Sequence, residues 1–177
     1  MRERSRRIAL CGMLTALSVV ILLLGGIVPL ATFCCPILAM LVLLPIHLEY
    51  GTQTGLTVYA AVSVLSMLLV PDLEVSLFFV FFGFYPILQP RLNRIRHAAP
   101  RFLAKLLICN AAIAGMYGCL LFLFRAPGAW EEVSQYSLPL IMMFLVTANL
   151  TFFLLDIALG RFSVIYRLRV RSWLFRR

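Results

Sequence analysis

Long apolar runs, broken by short polar or glycine- and proline-bearing stretches, organise this sequence from end to end. The runs cover residues 8–24, 30–48, 55–70, 75–88, 102–124 and 138–160. Gly25-Gly26 closes the first, and Pro71 stops the third. The second contains Pro36 and Pro45, and Pro45 is a candidate early end for it. Apolar and polar residues do not alternate within the runs, as the strands of a membrane barrel would require. About 20 apolar residues in a helix cross a bilayer core, and shorter runs manage by local thinning or snorkelling. The pattern predicts six transmembrane helices, of which the fourth is the shortest.

Composition agrees with that reading. The 177 residues are 63% hydrophobic and 13% charged, with a mean hydropathy of +1.00. A soluble domain is roughly 45–50% apolar and about 25% charged. A water-soluble fold of this length would hide only about 70% of its unfolded surface, leaving the apolar excess exposed. Disorder needs the opposite composition. The fold class is therefore all-α, a polytopic membrane protein with a six-helix domain over residues 1–160. A basic juxtamembrane tail, 161–177, follows it, and membrane lipids are its expected partner. Tyr166 and Trp173 suit the headgroup zone, and the tail's arginines suit lipid phosphates. The five cysteines lie inside apolar runs and form no C-x-x-C pair, so they read as small packing residues.

Charge supplies an orientation. The chain holds 16 Lys and Arg against 7 Asp and Glu. With six crossings, every basic residue except Arg125 falls on one side. Asp72, Glu74, Glu131 and Glu132 fall on the other. The positive-inside rule then places both termini in the cytoplasm, in a multi-pass plasma-membrane protein. This placement also explains the basic excess without a nucleic-acid partner, for which no recognition module is visible. The first run follows a basic start, as in a signal peptide. It is longer than a usual signal core and no A-x-A site follows it, so it is expected to be a retained helix.

The sequence lacks G-x-x-x-x-G-K-[ST], H-E-x-x-H and G-x-S-x-G motifs, so neither ATPase, zinc-protease nor hydrolase chemistry is expected. His47 and His97 have no metal-ligand spacing, and neither a metal nor a cofactor is expected. Ionisable groups inside a membrane are costly and therefore informative. Lys105 and Asp156 lie at matching depth, about 5–6 Å from the cytoplasmic ends of neighbouring antiparallel runs at about 1.5 Å per residue. They are expected to face each other; the alternative is that Lys105 snorkels and Asp156 points to water. Asn110 and Asn149 lie deeper on the same two helices. They read either as an interhelical hydrogen bond or as polar lining of a small-molecule cavity. Small residues mark two helix faces: Ala9, Gly12 and Ala16 on the first, and Ala111, Ala114, Gly115 and Gly118 on the fifth. Such faces let another helix approach, within the chain or from a second membrane protein. The aromatic stretch Phe78-Phe79-Val80-Phe81-Phe82-Gly83-Phe84-Tyr85-Pro86 offers rings for packing or for stacking on a ligand. Trp130, Glu131 and Glu132, in an outer loop, are candidates for a ligand lid.

Six spans, cytoplasmic termini, this length and the opening Arg6-Arg7-Ile8-Ala9-Leu10-Cys11-Gly12-Met13-Leu14-Thr15-Ala16-Leu17 resemble the substrate-binding S component of an energy-coupling factor transporter. The resemblance covers the whole chain in architecture and chiefly the first span in sequence. That family uses an A-x-x-x-A face on its first helix to dock a coupling transmembrane subunit. The matching positions here are Gly12 and Ala16, with Ala9 one turn earlier; glycine replaces the first alanine and keeps it small. The resemblance implies capture of a vitamin-like small molecule in the outer half. Docking to the coupling subunit, driven by two ATPase subunits, would follow. The alternative reading is a non-transporting membrane scaffold or cell-envelope assembly factor.

Overall fold

The computed structural model describes residues 2–28, 31–123, 137–166 and 168, and no strand occurs among them. Among the described residues six α-helices follow in order: α1 (Arg2–Ile27), α2 (Cys34–Leu69), α3 (Leu73–Phe82), α4 (Tyr85–Leu92), α5 (Ala98–Gly118) and α6 (Leu138–Ile165). Five stretches are long and apolar enough to cross a membrane: Arg4–Ile27, Cys34–Leu69, Leu73–Leu92, Ala98–Phe122 and Pro139–Ile165. The chain divides into two compact units, Met1–Pro90 with Ala158–Arg177, and Arg91–Ile157.

In the first unit, the second and third predicted runs share one helix, α2, folded back on itself. The break is at Gly51, whose φ of 83° and ψ of 177° lie in a region essentially reserved for glycine. Pro45 sits inside the helix and does not end it. A Cβ added to Gly25 would lie 2.7 Å from Cys35 Cβ, and one on Gly26 would lie 2.9 Å from Val70 Cγ1. Both ends of α2 therefore lie beside the same pair of glycines in α1. A straight helix of this length would hold its ends about 54 Å apart. Near the fold, a Cβ on Gly55 would come within 3.2 Å of His47 Cβ. Residues 34–50 and 52–69 are thus two antiparallel arms of a helical hairpin.

At the glycine end of the hairpin, Asp72 caps α3 by accepting a 2.8 Å hydrogen bond from the Glu74 backbone N–H. Ser76 Oγ donates at 3.0 Å to the Ser66 carbonyl, tying α3 to the end of α2. The aromatic stretch then breaks at Gly83–Phe84. Pro86 has no N–H for the Phe82 carbonyl, and the Tyr59 hydroxyl donates to the Val80 carbonyl across the break. The helical run resumes as α4, so Leu73–Leu92 outlasts the predicted 75–88. Its interior is closely packed: Val75, Leu77, Phe79 and Tyr85 are all buried.

In the second unit, α5 starts after His97, with Pro100 in its first turn, where a missing N–H costs nothing. It ends in a π-helical turn, Cys119–Leu123. Phe102 stacks on Phe153 of α6 with ring centroids 4.8 Å apart. Met142, Met143, Val146, Leu150 and Leu154 of α6 are exposed. An apolar helix exposed on this scale belongs in lipid or against another membrane helix. Helix α6 continues past the predicted boundary at Gly160, and Tyr166, expected at headgroup level, is buried. Trp173 lies outside the described residues.

Candidate functional site

The α1 face predicted for docking is open. Ala9, Gly12 and Ala16 are all exposed, and a Cβ on Gly12 would meet no atom within 4 Å. The helical repeat of 3.6 residues turns Ser18, Val19, Leu22 and Gly25 toward the interior, where all four are buried. Met13 and Val20 flank the small residues and are themselves exposed. Gly25 and Gly26 are small because neighbouring helices press on them; Gly12 has no such neighbour. The stripe is a small-residue apolar surface of the kind that permits close approach of helix backbones. On α5, Ala111 and Ala114 are likewise exposed and Gly118 is open, whereas Ala112 is buried.

Two polar rungs join α5 to α6. In the first, Lys105 Nζ lies 2.5 Å from Asp156 Oδ2 and donates at 2.8 Å to Asn93 Oδ1. The Lys105 and Asp156 side chains are only 8% and 13% exposed, so Lys105 does not snorkel to the surface. Asn93 enters this cluster without having stood out in the sequence, where it sits among the arginines 91, 94 and 96. In the second rung, Asn110 Nδ2 donates to Asn149 Oδ1 at 3.2 Å, and Asn149 Nδ2 returns a bond to Asn110 Oδ1 at 3.3 Å. Each amide also donates at 2.8 Å to the carbonyl one turn back, Leu106 and Leu145. The two amides thus bond reciprocally across the two helices.

The rings of the aromatic stretch also find partners within the chain. Phe78 stacks on Phe82 at 4.6 Å and meets Phe33 edge-on at 5.5 Å, while Tyr59 lies 6.0 Å from Phe79 and 6.4 Å from Phe84. A cavity of about 10 Å³ beside His47, Tyr59 and Gly83 holds no more than a water. A larger groove, of about 410 Å³, opens between α1 and the second arm of α2, beside Arg7 and Thr54. Among the described residues, no three His, Cys, Asp or Glu side chains cluster to hold a metal. Trp130, Glu131 and Glu132 lie outside the described residues. No known protein family, curated protein or solved structure matches this chain.

Proposed function

We propose that this chain is a docking subunit of a membrane complex. It crosses the bilayer six times with both termini in the cytoplasm, and a partner helix seats on Ala9, Gly12 and Ala16. The observation that carries the reading is the open position of Gly12 on the exposed face of α1. The folded-back α2 supports six crossings, because its two arms cross separately. The distribution of basic residues supports the orientation. The resemblance of the opening to an S component gives the partner its most specific form, a coupling transmembrane subunit carried by two ATPases. In that form the chain delivers a vitamin-like small molecule and performs no chemistry itself.

One observation favours the scaffold form instead. The end of the first unit at Gly25 and Gly26, which lies outside the cytoplasm in this orientation, is closely packed against Cys35, Val70 and Val75. Both forms share the docking face and differ in the partner. Purifying a tagged chain from its native membrane in mild detergent, with protein mass spectrometry, separates them. A membrane subunit with ATPases, lost on Gly12→Leu with Ala16→Leu, is expected for the transporter form. Envelope-assembly proteins lost on the same substitution would identify a scaffold. Partners retained by a folded double variant would overturn docking through α1.

A further inference from the structure

The groove beside Arg7 has the chemistry of a specific site. Arg7, Gln53 and Thr54 line the end near the fold at Gly51, with Ile8 beside Arg7; Cys11 and Val58 line the other end, where the Thr57 hydroxyl is turned to the Gln53 carbonyl at 3.0 Å. Arg7 is held from two directions: its guanidinium donates to Thr54 Oγ1, and it lies 5.6 Å from the centroid of the Tyr50 ring. A guanidinium carries five N–H donors. Arg7 therefore keeps donors beyond the one on Thr54, and its fixed positive charge faces the groove. The volume of about 410 Å³ is of small-ligand size.

The order of residues along the groove selects the ligand. Arg7 stands immediately before the apolar run of α1, and Gln53 and Thr54 stand just after the fold of α2 at Gly51. From there the walls become apolar one helical turn deeper, at Cys11 and Val58. This change from charge to hydrocarbon over about 5 Å is the profile of a phospholipid at the level where phosphate gives way to acyl chain. A free phosphate ion uses only the polar half. We propose that the groove binds one anionic phospholipid, with its phosphate on Arg7 and an acyl chain beside Ile8, Cys11 and Val58. This inference rests on α1 and α2 spanning the membrane and is independent of the docking partner. At about 100° per residue Arg7 lies about 140° around α1 from Gly12, so lipid and partner helix can be bound together on different faces.

The test uses the full chain, purified in detergent and free of partners, so a failed docking reading leaves it intact. Native mass spectrometry compares retention of phosphatidylglycerol and phosphatidylcholine with matched acyl chains. Phosphatidylcholine carries the same phosphate but offsets it with a choline cation, which meets Arg7 and no carboxylate in the groove lining, so a preference for phosphatidylglycerol of about tenfold is expected. Arg7→Gln should abolish the preference. Thr57→Phe, which fills the groove and leaves the Arg7–Thr54 bond in place, should abolish it too; Arg4→Gln with Arg6→Gln should retain it. Each variant is first shown to be monodisperse. Equal retention of the two lipids, or a preference surviving in both groove variants, would overturn the site. So would loss of the preference in the Arg4/Arg6 variant, which would mean a diffuse surface charge. In thermal unfolding, inorganic phosphate protecting the chain as well as phosphatidylglycerol at equal concentration would replace the lipid with a free anion and also overturn the proposal.

Discussion

Lys105 is the side chain whose partners matter most to the fold, because a buried ammonium has few ways to be satisfied. Removing Asp156 leaves it only the neutral Asn93 oxygen among the contacts described here. Breaking a buried pair in this way costs about 3–5 kcal/mol, mostly for the stranded charge. Asp156→Ala and Lys105→Ala should each lower the thermal unfolding midpoint in detergent. The exchange variant, Lys105→Asp with Asp156→Lys, should recover much of the loss, since the two positions stay within reach. An exchange variant no better than the worse single substitution would mean that the two charges do not act as a pair. Depth in a helix made this pair legible in the sequence, as it did Asn110 with Asn149. Asn93 was not legible: it lies outside the apolar runs, in a stretch dominated by arginines. Only the path of the chain before α5 brings it to Lys105.

At the scale of the helices, glycines with the same composition do three different jobs. Gly51 provides a backbone conformation closed to other residues, and Gly51→Ala should cost about 1–3 kcal/mol. Gly25 provides room, and an added methyl there must push on Cys35 Cβ at 2.7 Å; Gly25→Ala should cost about 1–3 kcal/mol through overpacking. Gly12 is open and helical, so Gly12→Ala should be neutral or stabilising by about 0.5–1 kcal/mol. Unfolding midpoints of the three variants check the order, and a Gly12→Ala variant as damaged as Gly25→Ala would show that α1 packs differently. The apolar runs on both sides of Gly51 were visible in the sequence. That they belong to one folded-back helix was not, because this depends on contacts between His47 and Gly55 and between α2 and Gly25-Gly26. Pro45 misled as a candidate terminator, since helices in membranes tolerate proline where neighbours satisfy the freed carbonyl. The apolar pattern of the fourth run ends at Leu88, but the helix runs on through Gln89 to Leu92. Gln89 is 3% exposed and inside the helix α4.

For the molecule as a whole, composition pointed to a helical membrane class, because an apolar excess this large has no place in a water-soluble fold, and the long apolar helices among the described residues are compatible with it. The division into two units was not legible: its first boundary falls at the start of the arginine-rich stretch 91–101, which reads as a loop between spans, and its second lies inside the last apolar run. The small-residue face of α1 was visible in the spacing, but only the structure distinguishes an open position at Gly12 from a packed one at Gly25. The Arg7 groove escaped the sequence entirely, because its two walls come from segments more than 40 residues apart and meet only after α2 folds back. The proposed docking and lipid binding both rest on α2 crossing twice, with Gly51 and the N-terminus on the side that the proposed orientation makes cytoplasmic. The most direct test is single-cysteine labelling in a background with the five native cysteines replaced, using Gln53→Cys and Asp72→Cys. A membrane-impermeant maleimide should label Gln53→Cys only in inverted vesicles and Asp72→Cys only in intact cells. Labelling of both from one side, or a Gln53→Cys site unreachable from either, would contradict two crossings by α2 and the account built on them.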